Sequence, residues 1–274
     1  MVSFGSISTR RSVYFALVVS VGLSPFTAAA ARPADDEKFS LSLGLFITDR
    51  ESDTRVDASG GSSGTVVDLE NDLGLDSTDS VFRVDGYYRF AKKHRFDFSV
   101  FDLSRRASKM IQRDIEWNGT MFPIDTVVDS DFDLTIYKAA YTWVFLQRES
   151  GYLGLTAGLY IADFGNTVSA PMLGEREIAA ATAPLPVFGL RGERHFSEKW
   201  SFRASGEFFV LEYGDFDGSL YDLYLGLDYQ VTDHVAVGIG INSVGMDIGV
   251  TKPNATGNLD WRYDGGLIFL KFDF

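Results

Sequence analysis

Apolar and polar residues alternate along most of this chain, and that alternation is the main clue to its fold. From Phe39 to Arg50 and again from Leu259 to Phe274, most apolar residues recur at every second position. Successive side chains of a β-strand point to opposite faces of the sheet, so a period of two predicts strands with one apolar face. The sequence shows no convincing long amphipathic helix. The chain is therefore predicted to be all-β.

Ten segments with this pattern predict ten strands. They are Phe39 to Arg50, Ser80 to Phe90, a third from Arg95, Asp129 to Leu146, a fifth spanning Leu153 to Ile161, a sixth from about Val187, Trp200 to Val210, Asp222 to Tyr229, Val235 to Asn242 and Leu259 to Phe274. The apolar positions change phase near Phe101, which predicts a β-bulge, and change phase once within the fourth strand. Pro184 and Pro186 lack amide donors, so the sixth strand is expected to begin after them.

The connections between the strands alternate in length. Four are tight, near Lys92, Glu149, Ser197 and Thr232. The longer, polar ones are Glu51 to Asp79, Lys109 to Val128, Ala170 to Ala183, Gly214 to Gly218 and Thr251 to Asn258. Short turns on one rim and long loops on the other are typical of outer-membrane β-barrels. The sequence therefore predicts an antiparallel, up-and-down transmembrane barrel of ten strands.

The apolar face is predicted to meet lipid and the polar face to line the lumen. Aromatic residues of the apolar face cluster near the tight-turn ends, as in the aromatic belts of membrane interfaces: Tyr88, Phe90, Tyr141, Trp143, Phe145, Trp200, Phe202 and Tyr229. The other face carries both signs of charge: Arg83, Arg89, Arg95, Lys138, Arg191, Arg203 and Lys271 against Asp85, Asp97, Asp102, Asp133, Glu193, Glu207, Asp222 and Asp228. Inside a narrow barrel these charges should pair, since an unpartnered buried charge is costly. A soluble β domain is the alternative.

The amino terminus is typical of an export signal. Arg10 and Arg11 precede a short apolar run, and alanines at 28–31 offer a cleavage site. Residues 1–31 are thus predicted to be a cleaved signal peptide, and residues 32–274 the barrel domain. Removing the signal changes the net charge from −13 to −15, because it contains those two arginines and no acid. A protein this acidic has no footprint for nucleic acid, and the absence of cysteine excludes disulfides and thiolate chemistry.

These features together resemble the small outer-membrane barrels of Gram-negative bacteria, the OmpA- and OmpW-like group and its proteobacterial members in particular. The carboxy-terminal Phe272-Asp273-Phe274 and the signal peptide carry the resemblance. It implies insertion from the periplasm by the barrel assembly machinery, which would read Phe272 and Phe274. The usual assembly signal has a glycine about five residues before its end, where this chain has Phe269. The resemblance also implies short turns in the periplasm, long loops outside, and a wall in contact with outer-membrane lipids and lipopolysaccharide.

No catalytic, cofactor or metal residues are predicted. The three histidines, His94, His195 and His234, all lie near the tight turns, whereas the lipid-modifying enzymes of this compartment use an external histidine. The loop Glu51 to Asp79 holds eight acids against Arg55. It is expected to be a solvated acidic loop, and one interpretation of its core is a short helix that folds back over the barrel mouth with Leu69, Leu73 and Leu75 inward. Divalent-cation binding by this and other acidic outer loops is the second interpretation.

The function predicted from the sequence is a non-enzymatic one. The protein is expected to be an integral outer-membrane barrel with a structural or loop-mediated binding role and a charged, largely plugged lumen. Barrels of about eight strands are filled by side chains, and ten strands lie near that limit. A narrow channel for small solutes is the alternative, and an enzyme acting on envelope lipids is a weaker one.

Overall fold

The computed structural model describes residues 37–57, 64–213, 216–252 and 255–274, and the fold of these residues is all-β. Ten long strands form one sheet: β1 (Phe39–Val56), β3 (Thr78–Ala91), β4 (His94–Met110), β7 (Val127–Arg148), β8 (Gly151–Ala170), β9 (Glu175–His195), β10 (Trp200–Tyr213), β11 (Phe216–Thr232), β12 (Val235–Lys252) and β13 (Ala255–Asp273). Three short strands lie in the connections: β2 (Val67–Asp68), β5 (Ile115–Trp117) and β6 (Thr120–Phe122). No helix long and apolar enough to cross a bilayer is found in the described residues. The predicted signal peptide lies outside them.

The sheet closes into a barrel through its first and last strands. Each long strand pairs antiparallel with its neighbours in chain order, and β13 also pairs with β1. This closing pair runs from Ser40 opposite Asp273 to Val56 opposite Gly257 with no shift in register. At its end, the amide of Phe274 donates to the carbonyl of Phe39 at 2.8 Å. The predicted ten-stranded, up-and-down barrel is confirmed.

The chemistry of the two faces reverses halfway up the strands. Near the tight turns, apolar side chains point outward and polar ones point into the barrel, as Phe96 and Arg95 of β4 do. Toward the long loops, Phe101 of β4 is buried inside the barrel and Asp102 is exposed outside. Below we call the two halves the turn-end half and the loop-end half.

The reversal occurs at nearly one height around the barrel. On the outer wall, apolar residues of the turn-end half give way to exposed aspartates on five strands: Asp49, Asp102, Asp133, Asp163 and Asp264. The last apolar residues below them are Ile47, Val100, Tyr137, Ile161 and Ile268. The outward apolar residues of the turn-end half form a continuous apolar belt around the barrel.

This reversal explains the phase changes in the sequence, and the predicted bulge near Phe101 is wrong. β4 pairs with β7 from His94 opposite Trp143 to Met110 opposite Val127 with no shift in register. The strands therefore continue regularly while the apolar residues move from the outer to the inner face.

β9 begins at Glu175, so the predicted start near Val187 is also wrong. Pro184 and Pro186 lie inside β9, opposite Ile161 and Leu159 of β8. β10 pairs with β9 only as far as Phe208 opposite Phe188. Above that pair, residues 183–187 of β9 and 209–213 of β10 keep their pairing with β8 and β11 but do not pair with each other, and we call this gap the β9–β10 seam. Residues two apart direct their backbone groups to the same side of a strand, so both prolines can face the seam without losing a hydrogen bond.

Candidate functional site: the external head

Buried charged side chains fill the lumen of the turn-end half. Glu207 is 0% exposed and is held by three groups. Lys138 forms an ion pair with it, Arg191 donates to it at 3.2 Å, and the hydroxyl of Tyr160 donates to it at 3.0 Å. Because the carboxylate has two cationic partners and a hydroxyl donor, the cost of burying it is offset.

The same pairing repeats around this half of the lumen. Arg95 donates to Asp97 from Nε at 3.0 Å, and Thr142 donates to the same carboxylate at 2.6 Å. Arg203 lies 2.6 Å from Asp228. The predicted charged lumen is confirmed, except that Asp102 and Asp133 point outward, because they lie above the reversal.

A cavity of about 60 Å³ remains between these pairs. Its lining includes Arg83, Arg95, Lys138, Asp97 and Asp222. Such a volume holds about four water molecules.

The lumen of the loop-end half is a hydrophobic core. Large side chains of the wall project into it: Phe46, Phe101, Phe132, Leu134, Trp261 and Tyr263. The first and second loops add side chains that are at most 2% exposed: Val67, Leu69, Leu73, Leu75, Ile111, Ile115, Trp117 and Phe122. The loops thus fold into the barrel mouth and pack there. We call the loop-end half, together with residues 64–77 and 111–126 of these loops, the external head.

The first loop packs as the sequence indicated, with a different backbone. Leu69, Leu73 and Leu75 are buried, as predicted. The predicted short helix is replaced by successive turns, in which the amides of Asp72 and Gly74 donate to carbonyls four residues earlier. A helix this short would have little stability of its own, so side-chain burial decides the conformation.

The second loop contains a hairpin that sequence analysis missed. Asn118 and Gly119 have positive φ values of 51° and 85° and connect β5 to β6. An Asn-Gly pair favours the type I′ turn of a two-residue hairpin. This turn places Trp117 and Phe122 in the core. The Asn-Gly pair, flanked by apolar residues, was the signal that could have predicted it.

Polar contacts fasten both loops to the wall. The buried guanidinium of Arg105 contacts Glu70, donates to Ser52 at 3.1 Å, and lies 4.8 Å from the ring centre of Phe132. Asn118 and Thr120 donate to the Glu177 carboxylate on β9 at 2.8 and 2.6 Å. The second loop is therefore anchored to β9, which lies two strands along the sheet from β7.

The outer surface of the head holds most of the excess negative charge. Among the described side chains above the reversal, acids outnumber bases more than two to one, whereas the turn-end half is nearly balanced. Asp260 lies opposite Asp53 on one side and Asp247 on the other. Burial, reinforced by neighbouring carboxylates that include Asp260, raises the pKa of both Asp53 and Asp247.

The residues considered for chemistry do not converge in the head. His94 contacts Tyr141, His195 lies 3.3 Å from Glu193, and His234 contacts the carbonyl of Asp273, all at the turn end. In the described residues, no three side chains of the metal-binding types come together. Residues 58–63 of the first loop lie outside the described residues and contain no acid, whereas Glu51, Asp53, Asp68 and Glu70 are described.

Comparison with known proteins supports the fold and assigns no family. No family model matches the sequence, and no curated protein matches it. The outer membrane protease OmpT from Escherichia coli matches the structure with a TM-score of 0.57 and 12% identity, over 88% of this chain and 98% of that one. Ail of Yersinia pestis (TM-score 0.35, 13% identity, 87% and 99% covered) and OprG of Pseudomonas aeruginosa (0.37, 12%, 89% and 98%) also match.

The closed barrel with its outward apolar belt has the fold of an outer-membrane β-barrel protein, as the match to OmpT also shows. In such barrels the short turns face the periplasm and the long loops face outward. By that rule the turn-end half would be the membrane-spanning part, and the head would lie outside the cell.

Proposed function

We propose that this protein acts through its external head, as a non-enzymatic structural or binding element of the cell surface. The observation that carries the proposal is the packing of both loops into the loop-end lumen. Eight loop side chains that are at most 2% exposed make the mouth a solid surface. A packed surface suits recognition, because its side chains are held in place before a partner arrives.

The test of this proposal is a change in surface binding when the head is altered and the barrel is not. Bacteria displaying the wild-type chain are compared with bacteria displaying a chain whose residues 111–126 are replaced by a short Gly-Ser link. Heat-modifiable migration on a gel controls for barrel folding. The proposal predicts that adhesion to host-cell or sister-cell surfaces changes while migration does not. Equal adhesion of the two strains to every surface would contradict it.

Transport is a second candidate, favoured by one observation. The β9–β10 seam interrupts the wall near the upper edge of the apolar belt. Against it, charged pairs fill the turn-end lumen and apolar side chains fill the other half. We expect low or no conductance from the purified protein in planar bilayers. A steady, large single-channel current would favour the channel over the binding role.

An enzymatic role is disfavoured by the position of the histidines. All three lie at the turn end, away from lipid substrates in the outer leaflet and from external peptides. Refolded protein incubated with lipopolysaccharide and phospholipid should leave their acyl chains unchanged by mass spectrometry. Turnover would refute the non-enzymatic proposal.

The proposed partners follow from the surfaces. Outer-membrane lipids and lipopolysaccharide would contact the apolar belt, and the assembly machinery would recognise Phe272 and Phe274. Divalent cations would act as diffuse counter-ions of the acidic head. Membership in the OmpA- and OmpW-like group stays a proposal, which rests on the signal peptide and the carboxy-terminal strand.

A further inference from the structure

The top of the external head carries a group of exposed apolar side chains. Six are between 38% and 89% exposed: Met110, Met121, Ile124, Val127, Met172 and Leu173. We call them the outer crown. They come from the end of β4, the second loop, the start of β7 and the turn between β8 and β9.

The strand register brings these segments together. Met110 lies directly opposite Val127. Asp129 lies opposite Ser169, so the β7–β8 register leads from Val127 toward the turn that holds Met172 and Leu173. The contacts of Asn118 and Thr120 with Glu177 place Met121 over the start of β9. Contiguous exposed apolar surface of this kind marks interaction sites.

The outer crown is too far from the apolar belt to contact the bilayer. The belt ends at Val100 on β4, and Met110 lies ten residues further along the same strand. With a strand rise near 3.4 Å and a usual tilt, that separation is roughly 25 Å along the barrel axis. The wall between them is polar and carries Asp102, Asp131 and Asp133. The occupant therefore comes from the external medium.

The charge around the outer crown selects the kind of occupant. Asp114, Asp125 and Glu175 are exposed beside it, and the segments that carry it, residues 106–131 and 170–178, hold seven acids against four bases, Arg106, Lys109, Arg113 and Arg176. A second copy of the same head would bring equal negative charge and be repelled. A partner with an apolar face and positive charge would complement both the apolar crown and the carboxylates around it.

The methionines supply a further observation. The chain has five, of which Met110, Met121 and Met172 are in the outer crown, while Met246 is 2% exposed inside the head. Methionine is flexible and polarisable, and it is over-used on surfaces that accept partners of varied sequence. An adaptable apolar surface within an acidic field suits short amphipathic segments.

We propose that the outer crown binds a cationic amphipathic polypeptide segment outside the cell. This inference rests on the binding role proposed above. The apolar face of the segment packs on the methionines and Leu173. Its lysine or arginine residues face the surrounding carboxylates.

The test uses the full mature chain in nanodiscs of zwitterionic lipid. The probes are two synthetic amphipathic helices of equal length, one of leucine and lysine and one of leucine and glutamate. Calorimetry should detect binding of the lysine helix only, weaker at high salt because the charges are screened. Empty nanodiscs give the background. Failure of the lysine helix to bind above that background overturns the proposal.

Variants separate the outer crown from the rest of the head. Met121→Ser with Met172→Ser should weaken binding by about tenfold, whereas Ile178→Ser, an exposed apolar residue of the same wall, should leave it unchanged. Peroxide should weaken wild-type binding by oxidising the exposed methionines to the polar sulfoxide. Met110→Leu, Met121→Leu and Met172→Leu combined should keep binding and make it resistant to peroxide. Equal binding by the serine double variant and wild type would overturn the outer crown as the site, and would leave a binding role of the head intact.

Discussion

The two halves of the barrel use the same strands with opposite chemistry. On β4, Phe96 faces outward and Asp97 inward in the turn-end half, whereas Asp102 faces outward and Leu103 inward in the loop-end half. A wall in lipid needs apolar side chains outside, and a wall in water needs them inside. The position of the reversal therefore records where the surrounding solvent changes from lipid to water.

The comparison also separates two ways of filling a lumen. The turn-end half is filled by paired ions whose attraction offsets their desolvation. The loop-end half is filled by apolar loops, which gain free energy from burial. The first filling should fail when one ion loses its partners, and the second when a large side chain is removed.

The largest expected effect comes from breaking the ionic filling. Glu207→Ala would leave Lys138 and Arg191 without their shared carboxylate, which costs about 3–5 kcal/mol. Urea unfolding in detergent, followed by tryptophan fluorescence, measures the loss. Asp131→Ala, which removes the exposed pair with Arg106, is the control and should cost less than about 1 kcal/mol. Equal unfolding midpoints for the two variants would show that the buried network contributes nothing.

Removing a large side chain from the apolar filling should have a local effect. Trp117 is fully buried, and Trp117→Ala should cost about 3 kcal/mol. The lost free energy should weaken the docking of the second loop and leave the stability of the barrel unchanged. External protease should then cut within residues 111–126, while heat-modifiable migration stays normal. Met121→Ala, in the same hairpin but exposed, should leave the loop resistant; cleavage of that variant would contradict the account.

A charge scan of the outer wall locates the boundary between the halves. Ile239→Arg, in the middle of the belt, should destabilise the folded barrel by about 2–3 kcal/mol, because the charge would lie in hydrocarbon. Thr167→Arg, on the outer wall of the head, should be nearly neutral. Folding titrations in lipid vesicles measure both. A large loss of stability for Thr167→Arg would show that lipid, and not water, surrounds the outer wall of the head.

The smallest expected effect is electrostatic. The folded state raises the pKa of Asp53 and Asp247, so it binds protons more readily than the unfolded chain. Their penalty is present above the raised pKa and disappears as pH falls toward about 4. Asp260→Asn removes a carboxylate that faces both, and should stabilise the head by about 0.5 kcal/mol at pH 7, with less gain at low pH.

The matched control for this prediction is Asp163→Asn. Asp163 lies opposite Thr135 and Thr182. Because no carboxylate faces it, its replacement relieves no repulsion. A pH-independent gain from Asp260→Asn, or an equal gain from the control, would contradict the repulsion argument. Hydrogen exchange of amides in residues 247–250 and 257–260 reports the change locally.

Sequence periodicity was enough for the barrel and not for the head. Alternation and turn spacing predict the ten strands, their order and the charged lumen. They suffice because contact with lipid requires apolar side chains on the outer face all along the belt. Above the belt the rule reverses, so Phe101 suggested a bulge and Asp102 a lumenal charge. The sequence places Pro184 before its strand, because nothing local shows that β9 lacks pairing with β10 at this height. The buried loop side chains Trp117 and Phe122 depend on distant wall residues that no local pattern reveals.

A depth measurement along the outer face of β1 shows whether the reversal of the two faces lies at the membrane surface. The chain has no cysteine, so single cysteines at Leu43, Ile47 and Glu51 can each carry one nitroxide label. Labels at 43 and 47 are expected to collide with oxygen dissolved in lipid, and the label at 51 with a water-soluble nickel complex. A lipid-accessible label at 51, or a water-accessible label at 43, would contradict this expectation.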